Sequence, residues 1–228
     1  MILNIETSSK ICSVALCEEG AVWYSIQSEN EMDHAIKLAP FVDKCICELN
    51  SAGKELDAVA VSMGPGSYTG LRIGLSLAKG LCFGMNIPLI GIPTLKLLAV
   101  KAMFSLDFFE ENLLFIPMID ARRMEVYTAA YNNRLEEVMK PEALIIDEDS
   151  YRNFADRTII MIGDGVNKAR EVLKLPVKKW IDKMPTAADM TALAYRDYIN
   201  ENFLDIAYST PYYLKNFQAT TPKNKLNC

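Results

Sequence analysis

The chain has 228 residues, half of them hydrophobic, a net charge of −5 and a single histidine. That length can build one large domain or two small ones around a proper core. The acidity argues against stand-alone nucleic-acid binding, which needs Lys and Arg against phosphate, and one histidine excludes an HExxH zinc site or any two-histidine metal site within the chain.

Residues 2–5 read as a strand that starts at once, with no secretory leader before it. No apolar run approaches the ~18 residues a bilayer requires. Six cysteines lack a disulfide-scaffold spacing, and Cys12, Cys17 and Cys82 sit inside apolar patterns, which suits a reducing cytoplasm. Residues 6–10 form a polar turn, and strands at 12–17 and 21–27 complete an antiparallel meander. A loop ends at Asp33, placed to cap a helix that runs to Leu49 and that Pro40 should kink or split.

The run 56–62 is short and rich in Val and Ala, as a buried strand is. Gly64-Pro65-Gly66 breaks it, and Ser67 or Thr69 can cap the helix that follows. Such a corner turns backbone N–H groups and the positive end of a helix dipole outward, which suits an anion. Gly66, Gly70, Gly74 and Ala78 recur every four residues and share one face. A helical Gly costs about 1 kcal/mol relative to Ala, so three in line imply close approach of another backbone. Leu71, Leu75 and Cys82 form a neighbouring stripe. The helix is then either a core helix on its own sheet or one that also packs on a partner subunit.

A short strand at 86–93 and a helix at 95–104, capped by Thr94, close the first half. The acidic stretch 105–112 marks a boundary, giving an N-terminal lobe at 1–104 and a C-terminal lobe at 105–217. The second half starts again with strands at 113–120, 125–131 and 134–139, then a short strand at 143–146 and a helix at 149–155. A strand at 158–162 ends in Gly163-Asp164-Gly165, and helices follow at 166–173 and 186–202. The last of these is a candidate to pack back on the N-terminal lobe, and 218–228 reads as a disordered tail. The order β-β-β-α-β-α appears twice, so the expected fold is α/β, with two actin/hexokinase/Hsp70-like lobes. Each lobe is a mixed sheet, an antiparallel meander plus parallel strands, packed with helices. In that fold the hairpin after the first strand, here residues 6–13, meets a nucleotide phosphate.

Four stretches carry a family resemblance: Asn4-Ile-Glu-Thr-Ser-Ser9; Met63-Gly-Pro-Gly-Ser-Tyr-Thr-Gly-Leu-Arg-Ile-Gly74 with Ala78-Lys-Gly-Leu81; Ile119-Asp-Ala-Arg-Arg123 with Glu125-Val-Tyr127; and Pro211-Tyr-Tyr-Leu214. They resemble the TsaB (YeaZ) family, and the glycine-rich block is the specific one. The resemblance implies a scaffold subunit that pairs with TsaD in making threonylcarbamoyladenosine beside the tRNA anticodon. It also implies TsaE as a further partner, a homodimer when alone, contact with tRNA only through the complex, and no membrane. ATP and a metal would belong to the partners, with no cofactor, metal or catalytic residue in this chain. TsaD-type proteins place a His-x-x-x-His metal pair on the helix after the first meander. Here that place reads His34 and Leu38, so a lone imidazole is left without a second ligand. The usual family Asp of the first turn is Glu6.

On this reading His34, Leu38, Gly70, Leu71, Gly74, Leu75, Ala78 and Cys82 are expected at a partner interface. Glu6, Thr7, Ser8, Ser67, Tyr68, Thr69, Arg72 and Asp120 are the candidates for anion or nucleotide binding. Plainer roles stand beside these: a capping carboxylate for Glu6, a solvated charge for Arg72, an ordinary loop salt bridge for Asp120. A competing function is a small-molecule kinase or ATPase of the same fold, with Glu6 or Asp120 as base. A glycoprotease is the least favoured, since the chain shows no Ser-His-Asp arrangement around its one histidine.

Overall fold

The computed structural model describes residues 1–28 and 33–215, so the tail expected to be disordered lies outside the described residues. The first sheet is built from β1 (Ile2–Glu6), β2 (Cys12–Glu18), β3 (Ala21–Ser28), β4 (Ala58–Gly64) and β5 (Leu89–Pro93), in the order β3-β2-β1-β4-β5. β1 pairs antiparallel with β2 and parallel with β4. The second sheet repeats the plan with β6 (Leu113–Asp120), β7 (Glu125–Asn132), β8 (Glu137–Ile145), β9 (Thr158–Ile162) and β10 (Val177–Ile181), in the order β10-β9-β6-β7-β8. The two lobes therefore share one topology, as the repeated element order predicts.

Five layers result. Helices α1 (His34–Ser51) and α2 (Tyr68–Met85) cover the outer face of the first sheet, where Leu38, Val42 and Cys45 meet Leu3, Val14 and Val61. On the opposite face lie α3 (Thr94–Phe104) and α5 (Thr191–Ile199), with Leu97, Val100 and Leu193 on Ala60, Ile90 and Ile92. The other side of α3, through Leu95, Leu98 and Ala102, packs on Phe115, Tyr131 and Ile160 of the second sheet. This helix is apolar all round because both sheets enclose it. The outermost helix, α4 (Val166–Val172), covers the far face of the second sheet with Val166 and Ala169. Among the described residues no helix is long and apolar enough to cross a membrane.

Several local expectations change. Pro40 does not split α1, which runs as one helix from His34 to Ser51 with Pro40 on its exposed side. Asp33 takes the N-cap position without a side-chain cap bond. The pieces 134–139 and 143–146 join as β8. In place of a helix at 149–155 there is one 3-10 turn, Arg152–Phe154. There Asp147 Oδ1 accepts from the Asp149 N–H at 3.1 Å and the Ser150 hydroxyl at 2.7 Å, local bonds that compete with a helix. The helix expected at 186–202 begins as a 3-10 turn, Ala187–Met190, under a Thr186–Asp189 capping box, and only then becomes α5. The structure adds an edge strand, β10, whose sequence Val177-Lys-Lys-Trp-Ile181 lacks a clear strand pattern because two adjacent lysines interrupt its apolar residues.

Candidate functional site: the interlobe cleft and the glycine helix

The turn from β4 into α2 forms as its residues dictate. Ser67 is the cap: its Oγ accepts the Gly70 N–H at 3.2 Å. The Ser67 N–H is itself donated to the Ser8 carbonyl at 2.7 Å. Thus two N–H groups that an anion would use at this helix start are already satisfied within the chain.

The glycine face answers to the chain itself. A Cβ on Gly66 would lie nearer than 3.0 Å to the Ser8 carbonyl, one on Gly70 equally near the Thr7 carbonyl, and one on Gly74 equally near Thr7 Oγ1. The turn after β1 rests directly on α2, and only glycine leaves it room. This corrects the interface reading. Gly70, Leu71, Gly74, Leu75, Ala78 and Cys82 are all buried against their own chain, as is Leu38. The outward sides of the two helices carry other residues: Ile36 (70% exposed), Phe83 (82%) and Met85. Gly80 and Gly84, also outward, have nothing within 4 Å of a Cβ position.

The anion candidates part company in the same way. A cleft of about 1410 Å³ opens between the lobes, lined by Ser8, Ser67, Tyr68, Thr69 and Asp120 among others. Glu6 and Thr7 do not reach it, since both are fully buried. Glu6 Oε1 folds back onto the Ser8 N–H at 2.5 Å, and burial pushes its carboxyl up from 4.5 to about 7 against that hydrogen bond. Glu6 is thus a capping carboxylate beneath the cleft, not a metal or phosphate ligand within it. Arg72 stays outside the cleft, lying over the Tyr68 ring at 4.1 Å and donating to the Tyr213 hydroxyl at 3.0 Å.

Across the cleft, Asp120 ends β6. Its Oδ1 accepts from the Arg122 N–H at 2.6 Å and from Lys168 Nζ at 2.7 Å. The ammonium of Lys168 also donates to the carbonyls of Arg123 (2.9 Å) and Glu125 (2.5 Å), and the Asp120 N–H bonds Asp164 Oδ1 at 2.8 Å. Asp164 is held above the usual carboxylate range by burial. Lys168, absent from the sequence reading, knits the β6–β7 turn together, and Asp120 is engaged in that work.

A C-terminal strap completes the wall. The Leu204 N–H bonds Leu89 on the free edge of β5 at 2.8 Å. Lys79 holds the Ala207 carbonyl at 3.1 Å, the Tyr212 N–H reaches the Met63 carbonyl at 2.7 Å, and Lys215 pairs with Glu125 of the second lobe. The Pro211-Tyr-Tyr-Leu motif is thus a clasp on the β4–α2 corner.

His34 lines the cleft with only 7% of its surface exposed, and its Nε2 has no hydrogen-bond partner. Leu38, one helical turn on, offers no donor and sits in the core. No three His, Cys, Asp or Glu side chains converge among the described residues, so a TsaD-type metal does not fit here. The thiols of Cys12 and Cys82 are pushed up to about 11 and that of Cys45 to about 12 by burial, which leaves them poor nucleophiles.

Comparison with known proteins agrees with this architecture. A family model for TsaD, tRNA N6-adenosine threonylcarbamoyltransferase, matches residues 28–218. The chain is 30% identical over 203 residues to the tRNA threonylcarbamoyladenosine biosynthesis protein TsaB of Buchnera aphidicola subsp. Schizaphis graminum, covering 86% of this chain and 94% of that one. It is 29% identical over 232 residues to the Escherichia coli protein of the same name, covering 94% of each. Among solved structures, YeaZ from Pseudomonas aeruginosa superposes with a TM-score of 0.79 at 27% identity, over 93% of this chain and 99% of that one. With its glycine-rich corner, its twin lobes and its clasp all in place, the chain belongs to the TsaB (YeaZ) family, within the wider TsaD-type group.

Proposed function

We propose that the chain acts in the biosynthesis of threonylcarbamoyladenosine in tRNA as a non-catalytic subunit that pairs with TsaD in the cytoplasm. The observation that carries this reading is Leu38. A chain of TsaD type has, at the second metal-ligand position, an aliphatic side chain buried between α1 and the first sheet. Glu6 and Asp120, the two carboxylates nearest the roles of base or metal holder, are each committed to backbone N–H groups. ATP and metal belong, on this reading, to the partners, TsaD and TsaE. The docking face is the outward side of α1 and α2, where Ile36 and Phe83 stand exposed, and the same face pairs two copies when TsaD is absent.

Light scattering on the chain alone and mixed with TsaD tests this. Wild type should form a defined complex, and Phe83→Glu or Ile36→Glu should weaken it without unfolding the chain. Gly74→Leu is the wrong probe, because it would strike Thr7 and read folding. A wild-type chain that ignores TsaD overturns the proposal. The second reading, an ATPase or small-molecule kinase, draws on a cleft wide enough for a nucleotide. Calorimetry with Mg-ATP decides it, and absence of heat removes it.

A further inference from the structure

A second, smaller cavity of about 400 Å³ lies beside the cleft, at the junction of the two lobes. That volume is within the usual range for small-molecule sites. Its floor is apolar: Pro65 after β4, Pro93 and Leu95 where β5 runs into α3. Tyr212 of the strap closes one side. The second lobe supplies the rest through Tyr131 on β7 and through Glu137 and Lys140 on β8.

Glu137 and Lys140 are three residues apart, and in a regular strand they would point to opposite faces. β8 is not regular. Tyr131 pairs with Glu137, Ala130 with Met139 and Thr128 with Glu142, so β8 carries an extra residue in each interval. Two successive bulges re-aim the strand, and both side chains border one cavity. Neither makes an ion pair or side-chain hydrogen bond among the described residues, with each other or with anything else. The Tyr131 hydroxyl is kept protonated by burial and by its neighbours Glu137 and Tyr212, and so remains a neutral group able to donate. An apolar floor, a buried phenol, one acidic residue and one basic residue therefore line a single cavity.

We propose that this cavity binds a small zwitterion with an apolar side chain, of the α-amino-acid class. Its ammonium faces Glu137, its carboxylate faces Lys140, and its side chain lies on Pro65, Pro93 and Leu95. The proposal stands apart from the docking face on α1 and α2 and does not depend on it.

The test uses the full chain and saturation-transfer NMR with each of the twenty L-amino acids, followed by calorimetry on those that respond. Apolar amino acids should bind. If leucine is among them, isoamylamine, which lacks the carboxylate, and 4-methylpentanoate, which lacks the ammonium, should each bind about fivefold more weakly or worse. Glu137→Gln and Lys140→Gln should each weaken the amino acid by a similar factor at unchanged melting temperature, since both side chains are exposed. The amine should be insensitive to Lys140→Gln and the acid to Glu137→Gln. No response from any amino acid up to about 10 mM overturns the proposal, because that limit is weaker than the millimolar affinity a few contacts supply. Equal binding of the singly charged analogues overturns it too.

Discussion

Three alanine substitutions on α2 should separate the two kinds of glycine it carries. Gly80→Ala and Gly84→Ala add a methyl into open space, where nothing lies within 4 Å. They gain only helix propensity, about 1 kcal/mol each, which for a chain of this size raises Tm by about 2–4 °C. Gly70→Ala gains the same propensity but places its methyl nearer than 3.0 Å to the Thr7 carbonyl oxygen. That oxygen belongs to the backbone of a buried turn, so no rotamer change relieves the overlap, and the whole segment from Glu6 to Ser8 must shift. Overpacking of this kind costs about 3 kcal/mol, for a net loss of about 2 kcal/mol. The gap between Gly70→Ala and Gly80→Ala should therefore be about 3 kcal/mol on one helix with one substitution type. Equilibrium urea unfolding reads it as a shift of midpoint at constant slope. If Gly70→Ala and Gly80→Ala fall within about 0.5 kcal/mol of each other, α2 is not pressed by the turn after β1 and the account of its glycine face is wrong.

Glu6 should make the protein less stable as pH rises. Above 4.5 the unfolded chain releases this proton while the folded chain keeps it up to about 7, so stability falls across that window and is level on either side. The total loss is about 3 kcal/mol. Glu6→Gln, which still accepts from the Ser8 N–H, should flatten the profile and be the more stable protein at pH 8. Lys168→Met should cost about 2 kcal/mol by leaving Asp120 and two carbonyls without their shared donor, and amide exchange should quicken at residues 120–125. Gly74→Ala should be partly rescued by Thr7→Ala, since the second change removes a hydroxyl that has no partner; a thermodynamic cycle with no coupling would refute the contact.

Much of the fold was legible because it is local. The meanders, the apolar run into Gly64-Pro65-Gly66 and the Ser67 cap all follow from a few adjacent residues. The repeated element order then gave the topology of both sheets. What the sequence hid is pairing at long range. The spacing of Gly66, Gly70 and Gly74 announced a close neighbour, but nothing in it distinguished Thr7 and Ser8, some sixty residues earlier, from a partner subunit. Glu6 read equally as a ligand or a cap, because only its burial decides between them. Lys168 sits in a short helix with no motif around it, and its three acceptors come from β6, the turn that follows and the first residue of β7. Pro211-Tyr-Tyr-Leu was visible as a motif, yet its use as a clasp depends on Met63 and Arg72, far away in the chain.

The strap from Leu204 to Lys215 also bears on how the molecule moves. Two-lobed folds with a cleft between sheets open and shut about a hinge, and their working stroke is the change in cleft width. Here one segment is bonded to β5, to α2 and to Met63 near the end of β4, and then to Glu125 on the opposite lobe. Any rotation that widens the cleft must first break the last of these bonds or peel the segment from the first lobe. The strap thus ties the first lobe to the second across the cleft through Lys215 and Glu125.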